Sequence, residues 1–186
     1  MPNLIQSTKI TFIAFFILPF AIILFYIYSP TFKYEYIGWD DSKIVRENPA
    51  LSKLSKENLK QILLPGRIQE EQLYIPVTYL SFLAERFFFS LNPNILHFNN
   101  FILHFINCCF AYILLIRLTK NSLTALFSAL IFAFHPIQVE SVAWIAGRKD
   151  LLQSFFTFLA ILIWLKWLDK KNHLILLSAF FIFLLA

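Results

Sequence analysis

The 186-residue chain is too apolar for an ordinary soluble domain, with 59% hydrophobic residues, 18% aromatic residues and a mean hydropathy of +0.66. Its formal net charge of +5 comes from cations in connecting segments. Because these cations form no basic stripe or fingerprint for base recognition, a nucleic-acid partner is excluded. Cys108 and Cys109 are adjacent in a predicted helix and have neither disulfide nor metal-ligand spacing. The composition indicates an integral membrane protein.

The first predicted span covers residues 10–29. A helix of about 20 apolar residues, at about 1.5 Å per residue, crosses about 30 Å of hydrocarbon. The run is too long for a cleaved signal peptide, and no small-residue cleavage site follows it. Lys9, on the short N-terminal side, favours a cytoplasmic N-terminus.

A long outer loop over residues 30–95 carries an acidic pair, Asp40 and Asp41, about ten residues after the first span ends. Asn48 and Pro49 predict the N-cap and the first residue of one continuous amphipathic helix. We expect this helix to lie flat on the membrane or on the protein.

Residues 73–91 form an apolar run that could be taken for a further span. It contains the adjacent pair Glu85 and Arg86, and burying two charges in hydrocarbon costs several kcal/mol on insertion scales. We therefore expect a helix in the membrane interface that begins near Pro76. The alternative, a true span, would place the loops before and after it on opposite sides of the membrane.

The second predicted span, residues 96–118, carries its polar side chains on one stripe. At 100° per residue, His97, Asn100, His104 and Asn107 fall within about 80° of arc. Hydrogen bonding between helices is the commoner explanation of such a stripe in membrane proteins. The functional alternative is the wall of a wet cavity, and both interpretations stay open.

Further spans are predicted at residues 122–135 and 151–168, and an incomplete one at 174–186. The turns between them on one side are basic, which makes them cytoplasmic and directs the loops 30–95 and 136–150 outward. We expect a single all-α polytopic membrane domain with four to five transmembrane helices, in the inner membrane if the source is bacterial. Because the last span is short, we expect the chain to be the front part of a longer protein.

The loop 136–150 is unusually rich in functional groups for a simple turn. Carboxylates beside an apolar wall, here Glu140 with Asp40 or Asp41, suit general-base work. The cations Arg148 and Lys149 lie where an anionic lipid headgroup would emerge, and guanidinium is well shaped for phosphate. These residues suggest group transfer from a lipid-linked phosphate ester to an acceptor hydroxyl at the membrane surface.

Simpler interpretations of the same residues remain. Arg148 and Lys149 could be interfacial anchors, with Asp150 as the N-cap of the following span. The acidic pair of the first loop could be a solvated turn, and His135 with Pro136 could cap the third span.

The sequence carries a series of short motifs in a definite order: Trp39-Asp40-Asp41, Asn48-Pro49, Tyr74-x-Pro76-x-Thr78, Leu91-Asn92-Pro93, Asn100-x-x-x-His104-x-x-Asn107 and His135-Pro136-x-x-x-Glu140-Ser141-Val142-Ala143-Trp144-x-x-Gly147-Arg148-x-Asp150. This order closely resembles the N-terminal membrane part of the transmembrane and tetratricopeptide-repeat (TMTC-like) O-mannosyltransferases. Those proteins are of the GT-C class of polyprenyl-phosphate-sugar-dependent glycosyltransferases.

The resemblance implies that Asp40, with Asp41 as its neighbour, is the catalytic acid pair of the first outer loop. It implies a further acid at Glu140 and a phosphate-facing Arg148. We also predict substrate-binding roles for five more residues, which complete that set with Arg148: Asn100, His104, His135, Lys149 and Asp150. The implied partners are a lipid-linked sugar donor, a protein or glycan acceptor and membrane lipids. A divalent cation is the one cofactor left open, with its ligands unassigned.

This sequence departs from the family in two ways. The usual Tyr-Arg-Pro of the first loop is Tyr74-Ile75-Pro76, which removes a cation. The additional spans and helical repeats of the family do not occur in these 186 residues. An alternative function is therefore a truncated, non-catalytic membrane scaffold or assembly subunit. A transporter fits less well, because the acids lie in loops and not at mid-membrane.

Overall fold

The computed structural model describes residues 17–65 and 73–186, and within these residues the chain is all-helical and contains no strand. The predicted all-α class is confirmed. The first part of the predicted span 10–29, up to residue 16, lies outside the described residues.

Eight α-helices and four short helical turns follow one another along the described chain. The α-helices are α1 over residues 17–28, α2 (Lys56–Leu63), α3 (Pro76–Phe89), α4 (Pro93–Thr119), α5 (Ser122–Phe134), α6 (Gln138–Ala143), α7 (Arg148–Lys170) and α8 (His173–Phe183). The turns are a 3₁₀ turn at Ser29–Lys33, a π-helical turn at Asp41–Arg46, and 3₁₀ turns at Pro49–Leu51 and Ile145–Gly147.

Two of these helices are long and apolar enough to cross a membrane. They are Pro93–Thr119 and the continuous segment Ile145–Lys170, which includes α7. Only 28% and 11% of their most apolar windows are buried inside the protein, so these are not core helices of a soluble domain. Three shorter apolar helices accompany them: Ile17–Lys33, Ser122–Phe134 and His173–Phe183.

The long helix α4 begins three residues before the predicted start of the second span. The Asn92 side chain accepts a hydrogen bond of 3.0 Å from the Asn94 N–H, and Pro93 occupies the first helical position. An Asn cap followed by Pro starts a helix wherever it stands, whether or not the next residues are apolar. At the other end Lys120 adopts a left-handed conformation with φ 55° and stops the helix.

Helix α3 occupies the run that we expected to lie in the interface, and Pro76 is its first residue. Its 14 residues reach only about 21 Å, which is too short to cross the hydrocarbon. Tyr79, Phe82 and Leu83 are fully buried on one face. The first part of the helix therefore packs on the protein, whereas Phe87, Phe88 and Phe89 in its last turn are exposed.

The continuous amphipathic helix predicted after Asn48 is wrong. The Asn48 side chain accepts from the Ala50 N–H at 3.0 Å and caps only the 3₁₀ turn Pro49–Leu51. A second cap at Ser55, which accepts from the Asn58 N–H at 3.1 Å, opens α2. The side chains of Asn48 and Ser55 compete with the backbone hydrogen bonds that one continuous helix would need. The segment therefore forms a short 3₁₀ turn and a separate helix.

Two hydrophobic clusters hold the described chain together. One cluster lies among α1, α4, α5 and the start of α7; it consists of Leu24, Tyr28, Phe101, Cys108, Ala133, Val142 and Leu151. The other joins the long segment before α4 to the turn before α7; it consists of Ile44, Val45, Ala50, Leu51, Ile62, Tyr79, Phe82, Leu83, Leu91, Leu96, Ile145 and Ala146. The second cluster brings the two acid-bearing segments into contact.

Candidate active site

Asp41 is the buried centre of the contact between the two segments. Its side chain is completely inaccessible, at 0% exposure, and opens the π-helical turn. Oδ2 accepts a hydrogen bond from the Ile37 N–H at 3.0 Å, and Oδ1 accepts one from the Ala146 N–H at 2.9 Å. The first bond closes the local turn, and the second reaches a residue 105 positions later in the sequence.

Burial raises the pKa of Asp41 above its ordinary value, because an apolar environment disfavours the charged carboxylate. The charge of Asp40 acts in the same direction, whereas the two backbone N–H donors lower the pKa. The raised value means that desolvation outweighs the hydrogen bonds. Such a group is well suited to hold a turn in place.

Asp40 differs from its neighbour in accessibility. Its side chain is half-buried, and the preceding Trp39 is 80% exposed. Of the two acids, Asp40 is therefore the one that is accessible from outside the protein.

Arg148 lies inside the protein with only 1% of its surface exposed. Its Nη1 donates to Glu85 Oε1 at 2.6 Å, its Nη2 to the Leu96 carbonyl at 2.9 Å, and its Nε to Asn100 Oδ1 at 2.8 Å. The guanidinium also lies 4.4 Å from the centre of the Phe82 ring. The predicted role in phosphate binding stays a prediction; in this arrangement the group is occupied by protein partners.

Asn100 connects Arg148 to the turn that precedes it. While its Oδ1 accepts from Arg148, its Nδ2 donates to the Trp144 carbonyl at 2.9 Å. Because Trp144 and Arg148 flank the turn Ile145–Gly147, one buried amide of α4 holds both ends of that turn.

The predicted polar stripe of α4 is buried, with all four side chains at 0–1% exposure. His104 Nε2 lies 3.1 Å from the Ala133 carbonyl, and Asn107 Nδ2 donates to the Leu151 carbonyl at 2.9 Å. Together with Asn100, three of the four side chains bond to neighbouring helices or turns, as the interhelical interpretation predicts. Neither ring nitrogen of His97 makes a well-aligned hydrogen bond among the described residues, although backbone groups of Ala143, Tyr34 and Glu35 interact with the ring.

A cavity of about 280 Å³ lies between α1, α4 and α5, away from Asp41. Its walls are apolar, and no member of the polar stripe lines it: the residues are Ile17, Phe20, Cys108, Cys109, Tyr112, Ile113, Ser122, Leu123, Leu126, Ala129 and Leu130. This cavity does not provide the wet wall that the functional interpretation of the stripe requires.

The remaining predicted site residues lie nearer the surface. His135 is exposed, and its Nδ1 accepts from the Ile137 N–H at 3.2 Å just after α5. Glu140 is exposed on α6. Lys149 is half-buried, with Nζ 5.5 Å from the centre of the Trp144 ring.

Asp150 is exposed in the first turn of α7 and interacts electrostatically with Lys149 and Glu140. It is not the N-cap of that helix, a position that Gly147 occupies. An acid in the first turn still complements the helix dipole, so the local charge agrees with the sequence prediction while the cap does not.

Glu85 and Asn99 complete this network, and neither was predicted from the sequence as a site residue. Glu85 was treated as part of a charged pair in the interface, yet it binds both Arg148 and the Asn99 Nδ2, the latter at 2.7 Å. An acid in an otherwise apolar helix needs a partner, so the position of Glu85 in the sequence could have indicated a buried ion pair.

The open question of a divalent cation finds no ligand set here. Among residues 17–65 and 73–186, no group of three or more His, Cys, Asp or Glu side chains is close enough to hold a metal ion. Both oxygens of Asp41 already accept backbone hydrogen bonds.

The chain is an all-helical membrane protein in which an acidic segment ahead of α4 packs on the turn that opens α7. It is 37% identical over 101 residues to the protein O-mannosyl-transferase TMTC1 of Mus musculus, which is 52% of this chain and 10% of that protein. It is 34% identical over 106 residues to tmtc2 of Xenopus laevis, covering 54% and 12%. With TMTC3 of Mus musculus the identity is 30% over 102 residues, covering 55% and 11%.

These similarities confirm the resemblance inferred from the motifs. The chain spans only about a tenth of the length of the curated relatives it matches. No family model matches the chain. No solved structure matches it either.

Proposed function

We propose that this chain is a glycosyltransferase module that transfers a sugar, mannose by analogy with the relatives, from a polyprenyl-phosphate donor to a hydroxyl of a protein or glycan. The observation that carries the proposal is the hydrogen bond from Ala146 to Asp41, which joins the two acidic segments at one place. The relatives are protein O-mannosyl-transferases, which supports mannose as the sugar and a protein as the acceptor.

In the proposed reaction Asp40 is the general base. The acceptor oxygen forms a bond to the anomeric carbon of the sugar while the bond from that carbon to the donor phosphate oxygen breaks. The phosphate leaves with the electron pair, the proton of the acceptor hydroxyl passes to Asp40, and the configuration inverts. A positioned carboxylate contributes about 10²- to 10⁴-fold to such a step.

The other exposed groups would bind the two substrates. Glu140 would orient the acceptor, and Lys149 with His135 would meet the donor phosphate, because these side chains retain accessible surface. Asn100, His104 and Asp150 would support substrate binding from positions next to these side chains.

The proposed topology is a single multi-pass membrane domain over residues 1–186 with a cytoplasmic N-terminus. Helices α4 and α7 are full spans, and α1 and α5 are shorter crossing helices, giving four spans, or five with the incomplete span that contains α8. Basic residues near the ends of α4 and α7, such as Arg117 and Lys170, would be cytoplasmic under the positive-inside rule. The acidic segments would then face the non-cytoplasmic side.

A second candidate is a non-catalytic membrane scaffold or assembly subunit. It is favoured by the hydrogen bonds that already engage Asp41 and Arg148 inside the protein, which leave fewer groups for substrate.

The test is sugar transfer by the full chain in lipid nanodiscs, with radiolabelled polyprenyl-phosphate mannose and hydroxyl-bearing acceptor peptides. We expect Asp40→Asn to lower the transfer rate by about 10²-fold or more and Glu140→Gln to lower it less. Glu57→Gln, an exposed acid at the start of α2, is the matched control and should transfer at the wild-type rate. Retained activity in Asp40→Asn, or no transfer by the wild type, would overturn the enzyme proposal.

A further inference from the structure

The turn Ile145–Gly147 is held on several sides at once. Asp41 accepts from its Ala146 N–H, and Asn100 donates to the Trp144 carbonyl just before it. At its end, a Cβ added to Gly147 would lie 2.7 Å from the Ser141 carbonyl oxygen, so the turn is pressed against α6 without space between them. The position of the Ala146 N–H is therefore set by neighbours and not by the turn alone.

Arg148 ties this turn to two other helices. Its guanidinium donates to Glu85 on α3 and to the Leu96 carbonyl on α4. Side-chain exposure is 1% for Arg148 and 12% for Glu85, so the ion pair is inside the protein. A buried pair with several directed hydrogen bonds fixes geometry, and removal of one partner leaves the other charge uncompensated.

We propose that Arg148 is a positioning residue, which with Glu85 and Asn100 locks the turn Ile145–Gly147 so that the Ala146 N–H holds the Asp41 carboxylate. Arg148 then acts through Ala146 and Asp41 and does not contact the donor phosphate. The consequence for catalysis rests on the proposed function; the lock itself does not.

The alternative role, direct phosphate binding, meets a geometric obstacle. Of the five N–H donors of a guanidinium, one on each nitrogen of Arg148 is committed to a protein acceptor, and one face is covered by Phe82. A phosphate would have to displace Glu85, which shares its oxygen with Asn99. Lys149, the next residue, is the accessible cation.

The lock is tested by backbone amide hydrogen exchange at Ala146, measured on the full chain in nanodiscs. We expect Arg148→Met to speed exchange at Ala146 by about tenfold or more, because the turn loses its tie to α3 and α4. Arg86→Met is the matched control: it removes the exposed cation next to Glu85 and no bond of the network, so exchange should stay at the wild-type rate. Unchanged exchange in Arg148→Met would overturn the proposal.

Milder variants cover the case in which Arg148→Met does not fold. Arg148→Lys keeps a positive charge but cannot bond in three fixed directions, so we expect exchange at Ala146 between wild type and Arg148→Met. The folding equilibrium constant can also be measured for Arg148→Met, for Glu85→Gln and for the double variant. We expect the double variant to lower this constant by about tenfold less than the two single effects multiplied together, because no lone buried charge remains. Independent, multiplying losses would argue against the lock.

The proposed sugar transfer and the positioning role of Arg148 can be overturned by different measurements. If the chain transfers no sugar, the exchange and unfolding measurements still decide the lock. If it does transfer, a positioning role predicts that Arg148→Lys lowers kcat with little change in KM for the polyprenyl-phosphate sugar. A rise in donor KM without faster exchange at Ala146 would assign Arg148 to the phosphate and overturn the inference.

Discussion

Gly147 and Ser141 approach so closely that no side chain fits between them: a Cβ on Gly147 would lie 2.7 Å from the Ser141 carbonyl oxygen and 2.9 Å from its Cα. Both atoms belong to the backbone and cannot rotate away. We expect Gly147→Ala to shift the turn before α7 and to destabilise the protein by about 1–3 kcal/mol. Thermal unfolding in mild detergent measures this loss. Gly38→Ala is the control, because a Cβ there would meet nothing within 4 Å, and similar losses for both would contradict the prediction.

Asp41→Asn tests the two backbone hydrogen bonds of the buried acid. The amide keeps one acceptor oxygen, but its NH₂ group must face an N–H donor, either that of Ile37 or that of Ala146. We expect a loss of about 1–3 kcal/mol in the free energy of unfolding, from chemical denaturation in detergent. The neighbouring Asp40→Asn should change it by less than about 0.5 kcal/mol, since that side chain is half-exposed. Equal losses would mean that the two acids have similar surroundings.

The raised pKa of Asp41 gives a pH dependence of known sign. A carboxyl group whose pKa is higher in the folded than in the unfolded state favours folding when protonated, and this contribution is lost as the pH rises through the folded pKa. The stability of wild type relative to Asp41→Asn should therefore fall as the pH increases above the ordinary value of 3.8. Measurement in an Asp40→Asn background removes the nearest titrating acid and leaves Tyr36 as the neighbouring group. A difference that grows with pH would contradict the sign.

Asn100→Ala removes two bonds with one substitution. The Arg148 Nε and the Trp144 carbonyl lose their partner inside the protein. We expect a loss of about 2–4 kcal/mol, because each buried polar group left without a partner costs about 1–3 kcal/mol. Asn94→Ala, an exposed position in the first turn of the same helix, should cost less than about 0.5 kcal/mol. Thermal unfolding of the two variants side by side measures the contrast, and a small loss for Asn100→Ala would show that water replaces its bonds.

The proposed topology predicts which segments share a side of the membrane. In a background with Cys108→Ala and Cys109→Ala, we expect Glu47→Cys and Val139→Cys to react with a membrane-impermeant maleimide from the same side. Ser122→Cys, at the first residue of α5, should react only from the other side. All three positions are exposed, so access depends on the bilayer. Labelling of positions 47 and 139 from opposite sides would separate the two acidic segments and remove the basis of a common site.

The helical class could be predicted from the sequence because its signals are local. These signals are apolar runs long enough to cross hydrocarbon and Asn-Pro pairs that start helices. It placed the start of α4 too late because hydropathy marks the apolar part of a helix and not the turn that precedes it. The cap at Asn92 marks that turn directly.

The inner arrangement of the site was harder to predict, because residue type does not give side-chain direction. An Arg beside a Lys at the end of an apolar run suits phosphate binding and burial equally well. In the structure Arg148 is buried against Glu85, which lies 63 residues earlier in the sequence, and no local pattern connects the two residues. In the same way, the sequence could not tell which acid of the Asp40–Asp41 pair would be buried.

The hydrogen bond between Asp41 and Ala146 also sets an order of events during synthesis. Its two ends are 105 residues apart, and a ribosome adds about 5–20 residues per second. Ala146 is therefore synthesised about 5–20 s after Asp41. Throughout that time the apolar residues around Asp41, such as Ile44 and Val45, lack the surface of Ile145 and Ala146 that later covers them.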